Sequence, residues 1–265
     1  MKTRKVIDHI TNWLTDYAEQ AGTRGWVMGI SGGIDSAVTS TLAAMTKRPL
    51  LCVEMPIHQD PVQVSRARAH IQELESRFEN VSSVEVDLTA AFDALVAAFV
   101  SFHGTGDGAR ELALANTRAR LRMTTLYYLA ALEKSLVVGT GNKVEDFGIG
   151  FFTKYGDGGV DLSPIADLTK TEVSLLGEAL EIGAAIREAP PTDGLWGDRR
   201  TDEDQLGASY PELEWAMAFD AGGGNEDGLE PRQREVLAIY RRRHAANRHK
   251  IDPIPVCKIP DALRS

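Results

Sequence analysis

The stretch "WVMGISGGIDSAV", Trp26 to Val38, decides the fold. An apolar, strand-like run meets Ser31-Gly32-Gly33-Ile34-Asp35-Ser36 and then turns helical in character. A strand that passes through glycines directly into a helix is the junction expected in a parallel α/β sheet. In such sheets ligands sit beyond the carboxyl ends of the strands. Glycines let the backbone approach a ligand and adopt positive φ. Free N–H groups at the turn and the positive end of the next helix together form an anion nest. The junction therefore reads as a phosphate site, with the hydroxyls of Ser31 and Ser36 as further donors. A carboxylate among phosphates is repulsive unless a divalent cation bridges them, so Asp35 reads as a Mg²⁺ ligand. Neither GxxxxGK[ST] nor GxGxxG is present at the strand end, so the two usual nucleotide loops do not fit.

Outward from this junction, strands and helices alternate. "GWVMGI" (25–30), "PLLCVEMP" (49–56), "VSSVEVDL" (81–88) and "SLVVGTG" (135–141) read as strands. Helices are expected at 4–21, 35–47, 60–79, 89–101, about 110–134, 168–183 and about 231–249, with a Gly-rich break at 104–108. The fold class is α/β, a Rossmann-like doubly wound parallel sheet flanked by helices. Its apolar, β-branched strands suit burial on both faces. Two stretches, about 142–161 and 190–228, carry glycine, proline and charge without periodicity. They read as flexible loops within a single domain spanning 1–265.

The bulk numbers exclude several classes. The chain has 265 residues, 43% hydrophobic and 25% charged, with no run of about 18 apolar residues. No membrane span or membrane partner is expected. The N-terminus is charged throughout and lacks the apolar core of a signal peptide. Two cysteines, Cys52 and Cys257, lack metal-type spacing, which suits a cytoplasmic setting. A net charge of −9 argues against nucleic acid as a partner. The basic run "RRRHAANRHK" (241–250) reads either as a solvated helix face or as an anion site.

The string Ser-Gly-Gly-x-Asp-Ser resembles the pyrophosphate-binding loop of the N-type ATP pyrophosphatases, whose members cleave ATP to AMP and pyrophosphate. Further stretches resemble one family within that superfamily, the NAD synthetases. They are "NTRARLRM" (116–123), "GTGNKVEDFGIGFFTKYGDGGVDLSPIADLTKTEV" (139–173), "PPTDGLW" (190–196) with "DEDQLG" (202–207), and "HKID" (249–252). The resemblance covers about Gly25 to Cys257. It implies an adenine nucleotide alpha-hydrolase-like fold and an ATP-dependent ligase of the ammonia-dependent kind. Such an enzyme amidates deamido-NAD to NAD through an acyl-adenylate, releasing AMP and pyrophosphate. The alternatives are a GMP synthetase-like amidation or a non-catalytic nucleotide-binding protein.

Site residues follow by the same resemblance. Gly29, Ile30, Ser31, Gly32, Gly33, Ile34, Asp35, Ser36, Thr140, Lys170 and Thr192 fall on ATP positions. Asp35 and Glu145 share Mg²⁺, with Asp146 as a neighbouring competitor. Arg120, Lys154, Asp157, Asp161, His249 and Lys250 fall on deamido-NAD positions. Asp35, Lys170 and Asp157 are the candidate catalytic groups, Asp157 as an acceptor for a proton from ammonium. Some family members carry Asp-His where this chain has Gly141-Asn142, a subgroup feature. Glutamine-using members add an N-terminal glutaminase domain, whereas the synthetase resemblance here starts within about 25 residues of Met1. Free ammonia is thus the expected nitrogen source, and a separate glutaminase partner stays open. On the long helix, Ala115, Ala119, Met123 and Tyr127 form an apolar stripe whose small residues suit close packing. The resemblance implies a homodimer.

Overall fold

The computed structural model describes residues 1–59, 61–99, 107–192 and 201–264. In chain order these residues form α1 (Thr3–Ala21), β1 (Trp26–Gly29), α2 (Ile34–Met45), β2 (Leu50–Glu54), α3 (Pro61–Arg77), β3 (Val81–Glu85) and α4 (Thr89–Ala98). There follow α5 (Asp107–Glu133), β4 (Leu136–Val137), a π-helical turn (Lys143–Ile149), α6 (Lys170–Ala179), α7 (Ala184–Arg187), α8 (Asp202–Leu206), α9 (Tyr210–Ala221), α10 (Pro231–Ile251) and a 3₁₀ turn (Asp261–Leu263). Residues 100–101 of the expected fourth helix, most of the Gly-rich break and Asp193–Trp196 lie outside the described residues.

The four strands are parallel, in the order β3-β2-β1-β4. Trp26 stands in register with Leu50 on one side and Leu136 on the other. The chain thus runs outward from β1 through β2 to β3, then returns to the opposite side of β1. That reversal leaves a crevice at the carboxyl ends of β1 and β4, where ligands of open α/β sheets bind. Successive residues of β1 face opposite ways. Trp26 and Met28 enter a core with Ile7, Leu14, Leu42 and Leu176, whereas Val27 enters a second core with Val53, Phe92 and Val137.

Burial on both faces does not extend to β3. It is an edge strand whose Ser82, Ser83, Val84 and Glu85 are exposed. Polar residues on an edge discourage pairing with another chain. β4 is shorter than the expected strand and continues only as a bridge from Val138 to Leu162. The stretch 190–228 differs from its reading as loop, because its described part contains α8 and α9. Leu206, Tyr210, Leu213 and Ala216 bury a third core against Val236 and Tyr240 of α10. The small residues of α5 are used within the chain. Ala115 and Ala119 are buried, and a Cβ on Gly156 would lie 2.8 Å from the Ala119 Cβ. Among the described residues no helix is long and apolar enough to cross a membrane.

One buried polar pair gives the fold a pH dependence. His70 on α3 is 2% exposed, and its Nε2 lies 2.9 Å from Ser40 Oγ on α2. Ser40 donates to the Ala37 carbonyl, so the imidazole is the donor to Ser40. The buried Nδ1 has no hydrogen-bond partner, so a second proton there would be an unpaired charge in the core. Burial pushes the imidazole down to about 4. The unfolded chain, with an imidazole near 6.5, therefore takes up the proton first as pH falls. The contribution of His70 is complete above about pH 6.5 and is lost progressively down to about 4, by about 3 kcal/mol. Denaturant midpoints should fall more steeply over this window in the wild type than in His70→Gln. Equal slopes would refute the assignment.

Candidate active site

β1 ends at Gly29, and Ile30 N–H still bonds the Val53 carbonyl at 3.0 Å. The chain then breaks from the sheet. Gly32 takes φ +78°, and α3 packs against it so closely that a Cβ would lie 2.8 Å from the Gln63 carbonyl oxygen. Gly33 is the N-cap of α2 and offers no capping side chain. The first N–H groups of α2 therefore lack intrahelical acceptors and face the crevice end of the helix. Ser31 Oγ accepts from Gly33 N–H at 3.2 Å and lies 3.0 Å from Ser36 Oγ. Ser31 lines the cavity, but Ser36 is 2% exposed and donates to the Gly33 carbonyl at 3.0 Å. Ser36 thus braces the turn instead of taking the ligand-facing place expected of it.

The cavity above this turn measures about 540 Å³, a size typical of small-molecule sites. Gly29, Ile30, Gly33, Ile34, Asp35, Thr140, Glu145, Asp157, Lys170 and Thr192 also line it. Asp35 comes from the first turn of α2 and Glu145 from the π-helical turn. Lys170 opens α6, positioned by a capping box of Thr169 and Glu172. Its Nζ lies 2.5 Å from Asp35 Oδ2 and 2.9 Å from Glu145 Oε1. Residues 135 and 25 positions away thus meet on one ammonium.

The electrostatics of this triad are asymmetric. Burial pushes the Asp35 carboxyl above its ordinary value, and the pull of Lys170 does not fully offset it. Burial acts on Glu145 in the same direction. There, however, Lys170, the Tyr210 hydroxyl and Asn142 together bring the carboxyl below its ordinary value. Glu145 holds its charge, and Asp35 is where a shared proton would reside. Burial alone would lower Lys170, but two facing carboxylates raise it, so it stays charged. Two hard oxygen donors converging on one cation position fit Mg²⁺, which takes one or two carboxylates with phosphate oxygens and water. Among the described residues no group of three or more acids, histidines or cysteines forms a metal cluster.

The Gly141-Asn142 departure has a physical reason. Asn142 is the N-cap of the π-helical turn, and its Oδ1 accepts from Val144 and Glu145 N–H at 3.1 Å. Its Nδ2 donates to Asp35 Oδ1 at 3.4 Å, which ties the two acid-bearing elements together. Gly141 makes room for a neighbour. A Cβ there would lie 1.8 Å from the Asp146 carboxylate. Burial, then Asp157, Glu145 and Asp35, push the Asp146 carboxyl well above its usual range.

The expected substrate residues fall into two groups. Asp157 lines the cavity, and its Oδ1 accepts from Thr153 N–H at 2.9 Å. Arg120, Lys154, His249 and Lys250 lie outside the cavity lining and join three elements. Arg120 Nε donates to the Lys154 carbonyl at 3.3 Å, and Lys154 Nζ donates to the His249 carbonyl. Lys250 Nζ donates to the carbonyls of Gly150 and Phe152, at 2.5 and 2.7 Å. The end of the basic run therefore serves the loop, while Arg241 pairs with Asp220 and Glu226 on the surface. Asp161 is committed to the fold, accepting from Tyr127 Oη at 3.0 Å and Val137 N–H at 2.8 Å.

Sequence reasoning missed Tyr210. Its hydroxyl donates to Glu145 and lies 3.2 Å from Asp202 Oδ2. Burial, then Glu145 and Asp202, raise this phenol, so it remains a protonated donor. The signal was present: Ser209-x-x-Glu212 with Pro211 inside is a helix-start pattern. Arg122, to which the motif assigns no role, braces the cavity wall. Its Nε donates to the Met55 carbonyl at 3.0 Å, and it reaches Gln59 Oε1 at 2.8 Å.

A candidate anion nest without a P-loop lysine, beside an acid pair and a lysine at the crevice of a parallel sheet, has the make-up of a nucleotide-using enzyme. The family profile described as NAD synthase matches residues 6–253. An NH(3)-dependent NAD(+) synthetase of Carboxydothermus hydrogenoformans is 36% identical over 94% of this chain and 93% of its own length. The solved structure of an NMN synthetase from Francisella tularensis is 28% identical, covers 98% of this chain and 100% of its own, and has a TM-score of 0.83. That of an NH3-dependent NAD synthetase from Campylobacter jejuni shares the fold at 23% identity and a TM-score of 0.77, over 97% of this chain and 100% of its own. The chain belongs to the NAD synthase family.

Proposed function

We propose that this site amidates the nicotinate carboxylate of deamido-NAD with ammonia, using ATP, to give NAD. The observation that carries this reading is Lys170 held by Asp35 and Glu145 beside an open phosphate nest. A carboxylate oxygen of the substrate attacks the α-phosphorus of ATP. The bond to the bridging oxygen breaks, and pyrophosphate leaves with that electron pair into the Ser31–Asp35 nest. Ammonia then attacks the acyl carbon, and AMP departs from the tetrahedral intermediate. The enzyme contributes alignment and charge neutralisation, with no covalent nucleophile. Asp35 and Glu145 would hold Mg²⁺, which supplies charge neutralisation at the phosphates. Lys170 adds a fixed positive charge, and Tyr210 keeps Glu145 ionised and oriented. Asp157 accepts a proton from the incoming ammonium. Arg120, Lys154, His249 and Lys250 form the side that receives the rest of the dinucleotide.

Free ammonia is the nitrogen source in this reading. Cys52 lies buried in β2, and burial pushes its thiol up to about 12, far from a glutaminase nucleophile. Both cysteines are free. The exposed apolar residues Tyr128 and Leu132, one turn apart on α5, support a homodimer through that helix. Light scattering should then exceed the 28.9 kDa of one chain.

The first experiment measures AMP and NAD from Mg-ATP, ammonium and deamido-NAD, with xanthosine monophosphate as control. NAD formed one-for-one with AMP supports the reading. Turnover on the control alone would move the chain to another amidation. The Francisella structure, with its TM-score of 0.83, motivates a second reading, in which nicotinate mononucleotide presents the same carboxylate. A kcat/KM for the mononucleotide above that for deamido-NAD would favour it.

A further inference from the structure

Among the described residues four cationic side chains line the cavity: Arg66, Arg122, Lys170 and Arg187. Three are engaged. Lys170 bonds two carboxylates, Arg122 bonds Met55 and Gln59, and Arg187 Nε donates to the Ile182 carbonyl at 2.8 Å. Arg66 makes no hydrogen bond or ion pair with any described residue, and its Nε is buried without a partner. Arg66 as a whole is only half-buried, and its terminal nitrogens, which are not buried and bond no described residue, can take an acceptor that arrives with the ligand.

Its position names the acceptor. Arg66 stands on α3 where that helix packs on the nest: a Cβ on Gly32 would lie 3.3 Å from Arg66 Cβ, 2.8 Å from the Gln63 carbonyl and 3.0 Å from Ala67 N. The charge balance points the same way. Asp35 and Glu145 share Lys170, so its charge offsets theirs as well as the phosphates', and a second cation beside the nest would add to the neutralisation of a departing pyrophosphate. A guanidinium, always charged and forked, suits two oxygens of a polyphosphate.

We propose that Arg66 is a phosphate-binding residue of the nest, contacting the terminal phosphates of ATP and holding pyrophosphate after cleavage. This rests on the reading that Ser31–Asp35 receives those phosphates. The test is calorimetric titration of Mg-pyrophosphate and Mg-ATP into the wild type, Arg66→Met, Arg66→Lys and Gly32→Val. Arg66→Met should weaken both ligands about tenfold, with part of the loss recovered in Arg66→Lys. The KM for deamido-NAD and the thermal midpoint should stay at wild-type values. Pyrophosphate binding in Arg66→Met equal to wild type, with Gly32→Val defective, would overturn the role of Arg66 and leave the nest standing. A wild type that binds neither ligand would remove the nest reading and the proposal together. Equal losses for ATP and deamido-NAD in Arg66→Met would also overturn it, as a general disturbance.

Discussion

Lys170→Met is expected to lower kcat/KM for NAD formation by about a thousandfold, the upper range for removing one preorganised charge at a reacting centre. Methionine keeps the length and removes the charge. Two carboxylates, Asp35 and Glu145, then face each other in a mostly buried site without their shared cation. Breaking a buried ion pair by removing one partner commonly costs about 3–5 kcal/mol. Protonation of Asp35, which burial already favours, limits that cost. Two readouts separate catalysis from folding. The thermal midpoint without Mg²⁺ should fall, and added Mg²⁺ should raise it more in the variant than in the wild type, because the ion can occupy the acid pair. Activity should remain low even where the midpoint recovers. A variant within tenfold of wild-type kcat/KM would show that Lys170 is a structural counter-ion and no more.

Gly32→Val is expected to raise the dissociation constant for ATP about a hundredfold, equivalent to about 2.7 kcal/mol. Two effects add. A β-branched residue at φ +78° is strained by about 1–3 kcal/mol. Its Cβ would also meet the Gln63 carbonyl at 2.8 Å and Ala67 N at 3.0 Å, and both are backbone atoms of α3 that cannot rotate aside. The turn must therefore shift and take its N–H groups off target. Gly33→Ala is the comparison. Gly33 has an ordinary φ of −95°, and its nearest neighbour would be Ser31 Oγ at 3.4 Å. That variant should be at least several-fold milder. Equal effects at the two positions would mean that the ligand, rather than the backbone, selects glycine here.

Much of this was legible in the sequence because the signals are local. A strand, two glycines and an acid at a helix start mark a candidate phosphate site without any tertiary knowledge, and the structure puts them at the crevice between β1 and β4. What the sequence could not carry was side-chain commitment. Ser36 and Asp161 look like ligand contacts in a motif, yet one is turned into the loop and the other holds Tyr127 and the backbone of β4. Gly141 looks like another flexible glycine, yet its lack of a side chain is filled by Asp146 from five residues on. The reading of 190–228 as loop failed for a different reason. Charge and glycine density masked two short helices whose capping boxes were in plain view, and Tyr210 was hidden with them. Arg66 had no motif at all, since its place depends on how α3 lies against the turn.

Asp202 N–H bonds the Pro191 carbonyl at 3.0 Å. Pro191 adjoins Thr192 in the cavity wall, and Asp202 bonds Tyr210, which bonds Glu145. These three bonds form one continuous brace from the cavity wall at Pro191, through the start of α8 and the Tyr210 hydroxyl, to Glu145. The wall and the acid pair are therefore one mechanical unit, and a substitution at Pro191 or Asp202 has a direct route to the carboxylate on which the charge balance of the site depends.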